Sequence, residues 1–80
     1  LELNTLGYRL LRTGKPREAI EIFKLNVEAY PQAANPYDSL GEAYMTVNER
    51  ELAIQNYKKS LELNPGNSGA VEALKKLEKP

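Results

Sequence analysis

The chain repeats itself. Shifted by 34 residues, Leu6, Gly7, Ala19, Ile20, Lys24, Glu28 and Pro31 fall on Leu40, Gly41, Ala53, Ile54, Lys58, Glu62 and Pro65. A unit of that length cannot bury its apolar face alone, so the chain is constrained to a stack of like units along one direction. In both copies a Leu-Gly pair is followed by an Ala, then by an aromatic four residues later (Phe23, Tyr57), then by a Pro eight residues beyond that.

Helix signals divide each copy in two. Leu3, Leu6 and Leu10 recur at helical spacing, which predicts a first helix over Glu2 to Thr13, closed by Gly14 in the left-handed conformation. Pro16 suits the first turn of a second helix, which buries Ala19, Ile20, Phe23 and Val27 and ends near Tyr30, where Pro31 cannot donate the next hydrogen bond. In the second copy, Asn35 is expected to cap a third helix over Pro36 to Thr46, and Asn48 a fourth over Glu49 to Leu63. After the turn at Asn64-Pro65-Gly66-Asn67, a fifth helix over Ser68 to Glu78 places Val71 and Leu74 in register with Tyr37 and Leu40. Lys75 stands where Gly7 and Gly41 stand earlier, and a lysine there does not permit close approach of a further helix. The expectation is an all-α solenoid of five helices: one repeat over about 1–33, a second over about 34–67, and a polar capping helix over about 68–79.

Composition removes several classes of function. There is no His and no Cys, which leaves out the commonest general base, the commonest metal ligand and the thiolate nucleophile. No catalysis, cofactor or metal is expected. Charged residues make up 28% of the chain but balance to zero, so no global field favours nucleic acid or an anionic membrane. No apolar run is long enough to span a bilayer. Asp38 and Glu42 lie four apart on one helix face, yet without a His, a Gly-rich loop or a third ligand they read as solvated carboxylates rather than an acid-base pair.

The pattern resembles the tetratricopeptide repeat family. It does so through Leu6-Gly7, Ala19, Phe23 and Pro31 in the first copy, and through Tyr37, Leu40-Gly41, Tyr44, Ala53, Tyr57 and Pro65 in the second. The first copy departs from the family in having Leu3 and Leu10 in place of Tyr37 and Tyr44. The segments Lys-Pro-Arg-Glu-Ala-Ile and Leu-Glu-Leu-Asn-Pro-Gly-Asn also look like repeat pairs at the carboxyl ends of bacterial serine hydrolases of the esterase and penicillin-recognising types. The chain is therefore expected to be a fragment of a larger bacterial protein.

The resemblance implies a protein-interaction scaffold whose concave side is lined by the first helix of each repeat and holds a peptide or a partner's helix. Carried onto this chain, the groove comprises Asn4, Tyr8, Leu11 and Arg12, then Asp38, Glu42 and Met45, extended by Glu72 and Lys76. Some members hold a chaperone's carboxyl-terminal tail with a clamp of Lys, Asn and Arg. Asp38, Ser39 and Glu42 occupy much of that place here and argue against such a ligand. Asp38, Glu42 and Glu72 instead favour a basic peptide.

A second surface sets the two copies apart. Ile22, Leu25 and Ala29 form an apolar stripe on the outside of the second helix, where the fourth has Asn56, Lys59 and Leu63. Either a neighbour such as a parent domain or another copy of the chain covers the stripe, or Leu25 is an ordinary exposed leucine. Leu1 and Leu3 lack a preceding helix, which adds an expectation of marginal stability or weak self-association.

Overall fold

The computed structural model describes residues 2–79, and within them all regular structure is helical. Leu1, expected to open the first repeat, and Pro80 lie outside the described residues. The helices are α1 (Leu3–Arg12), α2 (Pro16–Ala29), α3 (Ala34–Thr46), α4 (Arg50–Leu63) and α5 (Ser68–Leu77). Each packs on the next, and α1 also touches α3, so the odd-numbered helices begin a common wall. The result is the expected helical solenoid, measuring 34 × 26 × 16 Å.

The helix ends follow from backbone hydrogen bonding. Glu2 lies just outside α1 and caps it, its carboxylate accepting from the Asn4 N–H at 2.8 Å and from the Thr5 hydroxyl at 2.7 Å. These bonds hold the Glu2 carboxyl below the usual range, the Thr5 hydroxyl first among the causes. At the other end Gly14 adopts φ 77°, letting the Lys15 N–H reach the Leu10 carbonyl at 2.8 Å and its own N–H reach Leu11 at 3.3 Å. Pro16 is the first residue of α2, where a proline sacrifices no helical bond.

Two predicted caps are displaced. Asn48 does not cap α4; it takes φ 62° and closes α3, with the Glu49 N–H on the Tyr44 carbonyl at 2.9 Å and its own N–H on Met45 at 3.1 Å. That is the Gly14 closure one period on, and asparagine is the residue after glycine that best tolerates it. Asn35 does not cap α3 either. The helix starts at Ala34 after Ala33, which puts Pro36 in its third position, still among the N–H groups that a helix leaves unpaired.

The core explains the paired glycines. A Cβ on Gly41 would stand 3.1 Å from the Tyr57 ring, and one on Gly7 would overlap the Phe23 ring outright. The glycines therefore make room for the aromatic of the following helix. Ala19 and Ala53 are fully buried beside those rings, with Ile20, Leu40, Ala43, Tyr44, Ala70 and Leu74 completing the core. Val27 and Tyr37 are half-buried, the Tyr37 hydroxyl donating to the Pro31 carbonyl at 2.8 Å.

Candidate ligand groove

Contact between α1 and α3 is marked by two hydrogen bonds that cross it. The Tyr8 hydroxyl donates to Glu42 Oε1 at 3.0 Å, and the Ser39 hydroxyl donates to Asn4 Oδ1 at 2.7 Å. Tyr8 is also fixed from behind by edge-on contact with Phe23, the ring centroids 5.1 Å apart and the planes at 67°. Four residues named from sequence or its neighbourhood are thus joined into one wall, in which Ser39 is buried and Asn4 and Tyr8 are half-buried.

Asp38 and Met45 are anchored from further along the chain. Asn67 donates from Nδ2 to Asp38 Oδ1 at 3.3 Å and to the Ser60 hydroxyl at 3.0 Å, while its Oδ1 accepts the Ala70 N–H at 3.2 Å. One side chain thereby caps α5 and ties it to α3 and α4. The Tyr57 hydroxyl donates to Met45 Sδ at 3.4 Å. Leu11 packs against the core, and Arg12 is exposed in the last turn of α1. Glu72 and Lys76 are exposed on α5, where Glu72 pairs loosely with Lys75 at 3.8 Å, and neither joins the α1–α3 hydrogen bonds.

Burial governs the electrostatics. It pushes the Asp38 carboxyl above its usual range, with the Asn67 hydrogen bond opposing the shift. It pushes the Tyr8 hydroxyl up to about 12, the Ser39 hydroxyl opposing and Glu42 and Asp38 adding to the rise. Tyr57 is raised for the same reason, burial first and then the charges of Asp38 and Glu42. Both phenols are therefore neutral donors at neutral pH, Tyr8 to Glu42 and Tyr57 to the Met45 sulfur. Among the described residues no group of three or more His, Cys, Asp or Glu is placed to hold a metal ion.

Ser39, Asn67 and Tyr57 are the parts of this site that sequence reasoning missed. Asn67 carried a signal, being a good capping residue directly before α5. Tyr57 was legible as the repeat aromatic and Ser39 only as a neighbour of Asp38, but their hydrogen-bond partners carried no signal, being set by how the helices meet.

The stripe of Ile22, Leu25 and Ala29 lies elsewhere. Leu25 is 50% exposed, Ile22 is half-buried and Ala29 is exposed. An open apolar hollow of about 580 Å³ lies away from both, between α4 and α5, lined by Leu61, Val71, Leu74, Lys75, Glu78 and Lys79. No helix among the described residues is long and apolar enough to cross a membrane.

Residues 34–67 match the family model of the tetratricopeptide repeat. Over 65 residues the chain is 31% identical to mouse Superkiller complex protein 3, covering 81% of this chain and 4% of that protein. In three dimensions it superposes on a crystal structure of MamA with a TM-score of 0.86 and 29% identity, covering 94% of this chain and 44% of MamA. The first tetratricopeptide domain of human RPAP3, 21% identical with a TM-score of 0.57 over 94% of this chain and 86% of that one, shares the fold. The chain thus spans a small part of the curated relative and less than half of MamA. Its fold is that of tetratricopeptide helical repeats, which generally serve protein–protein interaction without catalysing a reaction.

Proposed function

We propose that this chain is a protein-interaction module that holds a peptide segment across α1 and α3, with Asp38 and Glu42 facing basic side chains. The observation that carries this reading is the fixed hydrogen bonding of the wall: Tyr8 holds Glu42, and Asn67 holds Asp38. A carboxylate already held in place loses little freedom when a ligand arrives. Tyr8 and Met45 supply apolar surface for an anchoring side chain, while Arg12 and Lys76 at the edges moderate the acidity. The ligand is accordingly a segment with one apolar anchor and a nearby Lys or Arg, bound weakly and more weakly as salt is raised.

A peptide library panned on the chain tests this. Ligands of that description should be enriched, and Asp38→Asn with Glu42→Gln should weaken them without loss of helicity. Enrichment of acidic peptides instead, or indifference to the double change, would overturn the reading.

The exposed Leu25 favours a second reading, in which the outer stripe docks the module on its parent chain or on another copy. The likeness to repeat pairs that accompany serine hydrolases of the esterase type makes a catalytic domain the parent partner to test first.

A further inference from the structure

The hollow between α4 and α5 occupies the place that, one period earlier, α4 itself fills. There Tyr57 of α4 covers Gly41, whereas here the equivalent of Gly41 is Lys75, so nothing can seat as deeply as α4 does on α3. What remains is a shallow apolar trough, floored by Leu61, Val71 and Leu74. Two lysines border it: Lys75, which pairs loosely with Glu72 at 3.8 Å, and Lys79, which joins no ion pair among the described residues; the one acid there, Glu78, is paired with Lys58 at 3.4 Å.

At the other end of the molecule α2 presents the converse. Ile22, Leu25 and Ala29 are three to seven residues apart and share a face. Glu18, Glu21 and Glu28, all exposed, stand three or four residues from members of that stripe and so border it. Glu21 is paired with Lys24 at 3.5 Å, which leaves Glu18 and Glu28 outside the ion pairs among the described residues, as Lys79 is at the trough; an apolar ridge edged mainly by acids thus complements an apolar trough edged mainly by lysines.

From this match we infer that the α4–α5 trough receives the outer stripe of α2 from a second copy of the chain. The two surfaces are different patches of one molecule, so the contact is head-to-tail. A pair keeps one free ridge and one free trough, so association continues beyond it unless the rotation closes a ring. The glutamates meet the lysines at the edge, where exposed charges set encounter rate and register, while Leu25 against Val71 and Leu74 supplies the apolar contact. The inference rests on the outer-stripe reading and is independent of the concave groove.

Sedimentation or light scattering on the whole chain tests it through mixing. Leu25→Lys spoils the ridge and Val71→Lys spoils the trough, so each variant alone should remain monomeric while the wild type grows past dimer with concentration. Mixed in equal amounts, they should form dimers and nothing larger, because one good ridge and one good trough remain between them. Because Val71 is half-buried, the exposed pair Lys75→Glu with Lys79→Glu provides a second probe, expected to weaken wild-type association about tenfold at low salt. Association of Val71→Lys alone at the wild-type level, with Leu25→Lys inactive, would overturn this pairing and leave the stripe as a contact to something else. If Leu25→Lys also associates normally, or the wild type stays monomeric at every concentration, both the pairing and the stripe reading are wrong. A mixture that stays monomeric, or lysine reversals without effect, likewise counts against the trough.

Discussion

At the scale of single residues, two glycines and two phenols set the terms. Alanine normally stabilises a helix interior by about 1 kcal/mol over glycine, but at Gly7 its Cβ would overlap Phe23. Gly7→Ala should therefore lower the urea midpoint, and Gly41→Leu, driven into Tyr57, should cost about 1–3 kcal/mol. An increase for either would mean that the ring moves aside freely. The second residue-scale prediction is a pH dependence. Folding raises the Tyr8 hydroxyl from its usual 10 to about 12, so between those values the folded state keeps a proton that the unfolded chain has lost. Stability should fall as pH rises through that interval, and Tyr8→Phe should flatten the fall; an unchanged alkaline limb would exclude burial of the phenol as its cause. The glycines and the aromatics could be read from the 34-residue register alone, since each is fixed by its own helix pair. The Ser39–Asn4 and Asn67–Asp38 bonds could not, because they depend on where separate helices come to rest.

At the scale of the helix, α5 is held by more than apolar packing. Arg50, at the start of α4, donates from Nε to the Leu77 carbonyl at 2.5 Å and from Nη2 to the Lys79 carbonyl at 3.2 Å, satisfying groups that the end of α5 leaves unpaired. Arg50→Ala should loosen α5 by about 1 kcal/mol, a charged hydrogen bond discounted for exposure. The check is amide exchange, which should quicken in the last turn of α5 and stay unchanged in α1 and α2; uniform quickening would point to global destabilisation instead. Helix number and order were readable from Pro, Gly and apolar spacing. The caps at Asn35 and Asn48 were not, because asparagine suits both a helix start and a left-handed helix end. The tie at Asn48 is decided by its place one period after Gly14.

At the scale of the whole molecule, a chain of two helix pairs and a fifth helix has little core to spare, so mass action should show in its melting. The wild-type melting temperature is expected to rise with protein concentration, and that of Leu25→Lys to stay fixed; a wild-type transition independent of concentration would show that association contributes nothing to stability. The bond between Tyr8 and Glu42 joins residues one period apart, and Lys76 is the next in that series. Neighbouring rungs therefore carry phenol, carboxylate and ammonium, an order that gives the array a direction and makes its units non-interchangeable. Splicing a duplicate of residues 34–67 after Asn67 would set one glutamate beside another on this rail. At low salt such a lengthened chain should unfold at less urea than the same chain with the inserted glutamate changed to glutamine, and the gap should close as salt is added. If the two unfold together at low salt, the rungs are independent and the array can be lengthened with any copy of itself.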